Sequence, residues 1–101
     1  MEFSGFDWND ANREKCQKHG VSIAEIESLF VGPVAIIPTD PGSDLAGRSL
    51  AIGLTSEGRY VFVVFTLRSK SNEKLVRPIS ARFMHEKEIK SYEAQNPDLR
   101  K

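Results

Sequence analysis

One cysteine and two histidines stand in a chain of 101 residues, and their scarcity closes several classes of explanation. A lone thiol forms no internal disulfide and has no second cysteine for a zinc knuckle, so Cys16 reads as a small, buried filler. His19 and His85 lie in no HExxH pattern, and with Cys16 they are the only nitrogen or sulfur ligands, too few for a zinc site. Gly42, Gly47, Gly53 and Gly58 match neither GxGxxG nor the P-loop and read as turn or bulge positions. No apolar run approaches the roughly 18 residues of a membrane span. The opening MEFSGFDWND lacks the basic start and hydrophobic core of an export signal. Cys16 lies mid-helix with no nucleophile elbow around it. The expectation is a cytoplasmic protein with no membrane partner, no metal and no cofactor.

At this length the chain holds one domain, 1–101, with material for one modest core. Its 40 % hydrophobic and 28 % charged content is that of an ordinary globule. The formal net charge of zero hides a segregation. Residues 1–30 hold six acids against three bases, whereas residues 59–82 hold six bases against Glu73 alone, a net +5. Such a window attracts phosphate, although a solvated basic face would look the same in sequence.

DWNDANREKCQKHG, 7–20, reads as a helix capped by Asp7 or Asn9 and stopped by Gly20. In the next helix Ser22 and Glu25 have capping-box spacing, and Ile23, Ile26, Leu29 and Phe30 form an apolar stripe ended by Gly32 and Pro33. The period then changes to strands: VAIIP, a turn-rich TDPGSDLAG loop, and RSLAIGLT. SEGR turns into YVFVVFTLR, whose unbroken apolar run predicts a central strand. A polar SKSNEK loop leads to LVRPISAR, where Pro78, with no N–H to donate, marks an edge or bulge. A last helix covers 84–95, packing through Ile89 and Tyr92. The expected class is α+β: two N-terminal helices, a four-stranded, mainly antiparallel sheet, and a C-terminal helix.

The arginines remain as carriers of chemistry. Arg48 and Arg59 begin strands, Arg68 ends one, and Arg77 and Arg82 flank the end of the last. Arginine keeps its charge at every physiological pH and offers a planar fork of donors that fits phosphate. The alternative is that each pairs with a surface carboxylate.

FDWNDAN, KHGVSIAEIESLF, an arginine before AIG, GRYVFVVFTLR and RPISAR followed by a YE pair occur in that order. Over about Phe6 to Glu93 this set resembles the BrnT family of type II toxins. The resemblance implies a fold similar to the RelE-like ribonuclease toxins, RNA as target, and a BrnA-like antitoxin that neutralises the toxin and represses the shared promoter with it. A homodimer within that complex is a further implication. By resemblance Lys18, His19 and Gly20 are the family's KHG, Arg48 precedes the Ile-Gly strand, and Gly58 and Arg59 form the hairpin. Thr66 and Arg68 end the central strand, Ser80, Ala81 and Arg82 are its SAR, and Glu88, Tyr92 and Glu93 belong to the last helix. Pro78, Phe83 and the SKSNEKL loop depart from the family pattern.

The chemistry implied is metal-independent RNA cleavage by the 2′-hydroxyl, which needs a base, positive charge on the phosphorane and an acid. The catalytic set expected is Arg68 and Arg82 for charge, with His19 and Tyr92 for proton transfer; Lys18 and Glu88 are further acid or base candidates. Lys18, Arg48, Arg59 and Arg77 are expected to contact RNA. A histidine ending a helix also serves as a dipole-stabilising cap. The competing expectation is a catalytically weak module that binds its antitoxin and acts as co-repressor.

Overall fold

The computed structural model describes residues 3–32, 34–38 and 47–95. The order is β1 (Gly5–Phe6), α1 (Asp10–Gln17), α2 (Ile23–Val31), β2 (Val34–Pro38), β3 (Ser49–Leu54), β4 (Tyr60–Lys70), β5 (Glu73–Phe83) and α3 (Glu86–Gln95). The strands form one mixed sheet in the order β1-β5-β4-β3-β2, antiparallel except for the β1–β5 pair. The α+β class and the three helices agree with expectation. The sheet differs: two residues ahead of α1 add a fifth, parallel strand, too short to carry any periodicity. Most of the TDPGSDLAG loop lies outside the described residues.

Asn9, not Asp7, caps α1, through a capping box in which Asn9 and Asn12 each accept the other's backbone N–H. Ser22 and Glu25 form the same device on α2. One face of the sheet meets both helices. There Ile26, Leu29 and Phe30 pack with Ala51, Val61, Val63, Phe65 and Val76, and Cys16 is wholly buried among them. That burial pushes the Cys16 thiol up to about 11, so it is inert filler. Phe30 meets Phe65 edge-on at 5.0 Å and Phe6 at 5.9 Å, which ties β1 to the same core.

The SKSNEK segment is not a long loop. β4 continues to Lys70 and β5 starts at Glu73, joined by Ser71 and Asn72 at φ 49° and 68°. Two successive positive-φ residues make the tight turn that matches strand twist, and Asn tolerates it well. The polar side chains belong to exposed strands rather than to a loop.

Candidate active site

Among the described residues, the second face of the sheet is covered only at one end, by α3. Alternation puts Phe62, Val64, Thr66, Arg68 and Lys70 of β4 on it, out of phase with buried Val61, Val63 and Phe65. Arg77 and Arg82 are five apart, an odd spacing that would place them on opposite faces of a regular strand. A bulge corrects this. Ser80 pairs with Val64 and Pro78 with Phe65, so Ile79 is the extra residue, and Arg77 and Arg82 both join the open face. Pro78 suits the place: it is buried, and its carbonyl accepts from Asn12 Nδ2 at 2.9 Å.

Arg82 lies opposite Phe62, its guanidinium 4.4 Å from the ring centre. Both terminal nitrogens donate to Glu88, each at 3.0 Å, and one also donates to the Phe83 carbonyl at 3.2 Å. Glu88 sits in the first turn of α3 and also accepts the His85 N–H at 2.8 Å. The Arg82 fork, helped by that N–H, holds the Glu88 carboxyl at about 2, so it is an anion at neutral pH. The groove beside this pair, about 370 Å³, is lined by His19, Phe62, Val64, Ser80, Arg82 and Glu88 among others.

His19 reaches that groove because α1 is pinned to β5 through Asn12, whose side chain also donates to the Asp7 carbonyl. Gly20 then reverses the chain at φ 91°, a left-handed conformation natural to glycine, against the Phe83 ring. The spacing of KHG from RPISAR in sequence gives no hint of this meeting; helix packing produces it.

The other expected residues fall elsewhere. Arg68 and Arg82 do not converge. Arg68 stands six residues along β4 from the partner of Arg82, roughly 20 Å at the strand rise, so one phosphorane cannot touch both. Arg68 instead faces Asp7 at 3.9 Å, beside Arg77 at 3.2 Å. Arg59, expected at RNA, turns its Nε and a terminal nitrogen to the buried carboxylate of Glu25 and lies 4.3 Å over the Phe83 ring, on the helix side of the sheet. Lys18 lines a separate depression with Ala11, Glu14 and Lys15. Arg48 is exposed just ahead of β3, next to Gly47, whose carbonyl accepts from the Thr66 hydroxyl at 3.1 Å.

Tyr92 is not in the His19 groove. It lines a neighbouring one of about 580 Å³ with Ile52, Met84 and others, sharing Phe62 and Glu88 with the first. Its hydroxyl donates to the Ile52 carbonyl at 3.3 Å, its ring meets Tyr60 at 5.9 Å, and burial raises its pKa. Phe62 and Ser80 were missed as groove residues, though the phase of Phe62 against Val61 and Val63 was the available signal.

The family model described as the ribonuclease toxin BrnT of type II toxin-antitoxin systems matches residues 8–88. The chain belongs to the BrnT family. For a BrnT chain the description implies ribonuclease activity, an RNA target and an antitoxin partner. The matched span holds His19, Ser80, Arg82 and Glu88 and ends before Tyr92. No curated protein matches this BrnT chain. Among its described residues no helix is long and apolar enough to cross a membrane, and no three His, Cys, Asp or Glu side chains gather as a metal site requires.

Proposed function

We propose that this BrnT-family protein is an endoribonuclease in which the 2′-hydroxyl attacks the adjacent phosphate, leaving a 2′,3′-cyclic phosphate and a 5′-hydroxyl, without a metal. The observation that supports it is the Arg82 guanidinium, stacked on Phe62 and clamped by Glu88 in the wall of a groove that also holds His19. Among the described residues, the bonds to Glu88 and the Phe83 carbonyl use three of the five arginine N–H groups, which leaves the Nε–H and one terminal N–H for a phosphate. Fixed donors of this kind stabilise charge that develops on a phosphorane without reorganising at the moment of reaction. His19 takes the 2′-hydroxyl proton; imidazole is the side chain suited to that exchange near neutrality. Glu88, held at about 2, has no proton to give, so the leaving 5′-oxygen takes one from solvent.

In this reading Arg48, Arg68, Arg77 and Lys18 hold flanking RNA backbone, whereas Arg59 and Tyr92 hold the fold. A BrnA-like antitoxin acts in the same cytoplasm by covering the groove. A second reading has one observation in its favour: Glu88 already occupies both terminal nitrogens of Arg82, as it would in a module that binds antitoxin and cleaves weakly.

The deciding experiment incubates the protein, in EDTA, with labelled RNA and a 2′-deoxy control, beside Arg82→Ala and His19→Gln. Cleavage of RNA alone, lost with Arg82→Ala and slowed with His19→Gln, is expected. A folded wild type that leaves both free RNA and translating ribosomes intact would sink the enzyme reading.

A further inference from the structure

We infer that Arg68, Lys70 and Arg77 form a second phosphate subsite for the RNA strand, and that Asp7 stands in it as the counter-charge a phosphate displaces. This rests on the ribonuclease reading above. Asp7 follows β1, and its N–H donates to the Val76 carbonyl at 2.8 Å, which lays its side chain beside Arg77. Three cations meet its carboxylate: Arg77 at 3.2 Å, Lys70 at 3.7 Å and Arg68 at 3.9 Å. Asp7 is only 11 % exposed, whereas Arg68 and Lys70 are more than half exposed and stand beyond hydrogen-bond reach of it. Glu73 lies opposite Lys70 at the hairpin end, so the patch carries three cations against two acids.

Pinning β1 to β5 needs one cation, and Arg77 supplies it. Arg68 and Lys70 are the surplus that a purely structural pin leaves unexplained. Alternation along β4 puts both on the open face, Lys70 because the strand runs on into the SKSNEK segment, and the Ile79 bulge in β5 brings Arg77 to the same side as Arg82. Arg77 pairs with Thr66 and Arg82 with Phe62, four residues apart along β4, or about 13 Å. With Arg77 turned to Asp7 and Arg82 to Glu88, the two guanidinium groups meet different phosphates, so a strand reaching both spans more than one nucleotide. Along the way it passes Val64 and Ser80.

The test separates this role from a structural one by sign. A 2′-O-methyl oligonucleotide, which cannot be cleaved, is titrated against the full chain by fluorescence anisotropy at several salt concentrations. Asp7→Asn removes the competing charge, so binding should tighten roughly fivefold while the melting temperature falls. Arg68→Gln with Lys70→Gln should weaken binding and flatten the log–log salt slope by about 1.4, on the order of 0.7 per lost single-strand contact. Asp7→Asn binding equal to or weaker than wild type, or an unchanged slope in the glutamine variant, overturns the subsite. So does a wild type that binds no oligonucleotide. The cleavage assay keeps the two claims apart. Cleavage that persists with unaltered slopes removes the subsite alone, whereas absence of cleavage with the expected binding shifts removes the ribonuclease reading alone.

Discussion

Two arginine–glutamate pairs in this molecule use the same parts on opposite faces of one sheet. In each, a glutamate in the first turn of a helix reaches back to a backbone N–H and grips an arginine through two nitrogens: Glu25 with Arg59, Glu88 with Arg82. In each, the arginine lies over a phenylalanine, Phe83 at 4.3 Å or Phe62 at 4.4 Å. The arginines are similarly accessible, 49 % and 43 %. The glutamates are not: Glu25 is 1 % exposed and Glu88 32 %. Glu25 also accepts from the Thr55 hydroxyl at 3.0 Å and closes the α2 cap, so its carboxylate is surrounded by donors. Glu88 borders a groove with a histidine in it. The same pairing is a structural rivet where the acid is enclosed; where the acid meets solvent, the proposed ribonuclease reading makes it the holder of a working cation.

The contrast is broken or sharpened by exchanging which pair is cut. Arg82→Ala should cost about 100- to 1,000-fold in RNA cleavage, the scale of losing a fixed oxyanion donor, with the circular dichroism spectrum unchanged. Arg59→Ala should act the other way, lowering the melting temperature while the activity of the remaining folded protein survives. If Arg59→Ala abolishes activity at wild-type stability, the two pairs do not differ as argued. Glu25→Ala should destabilise by about 2 kcal/mol in urea unfolding, because it removes a buried carboxylate that closes a cap and accepts the Thr55 bond, and frees a half-exposed Arg59. Glu88→Ala, cutting a solvent-bordered pair, should shift the urea midpoint far less.

The pH dependence is a smaller effect with a definite sign. Both carboxyls lie below their ordinary value of 4.5 in the folded protein, Glu25 through Arg59 and Glu88, at about 2, through Arg82. The unfolded chain binds protons more readily at both positions. Stability is therefore complete above about 4.5 and is lost as pH falls through the folded values. Glu88→Gln should be less stable than wild type at neutral pH, and the gap should close as the pH approaches 2. A gap that stays constant across that range would mean the Glu88 charge contributes nothing to the fold.

Much of the fold was legible in the residues. The Ser22–Glu25 capping box, the apolar stripe through Ile26, Leu29 and Phe30, and the central strand at 60–68 follow from local signals, and each stands where expected. The site was less legible because its parts are local to nothing. Strand spacing predicts one face for Arg59 and another for Arg68, but gives no distance from either to Arg82. Pro78 signalled irregularity, yet the Ile79 bulge, which turns Arg77 and Arg82 to one side, is a property of the pairing with β4. Asp7 read as a possible cap because Asp favours that place; a two-residue strand that no periodicity can reveal sets it among Arg68, Lys70 and Arg77 instead.

By itself, then, the sequence determined the three helices, the strands other than β1, the α2 capping box, the inert role of Cys16 and the BrnT resemblance, because propensity, periodicity and ordered motifs act over a few residues at a time. Tertiary structure alone decided which of several chemically equivalent arginines meets an enclosed carboxylate and which lines a groove beside His19. Register, a bulge and the docking of α1 on β5 are set by contacts between residues distant along the chain, and accessibility follows from those contacts rather than from residue type.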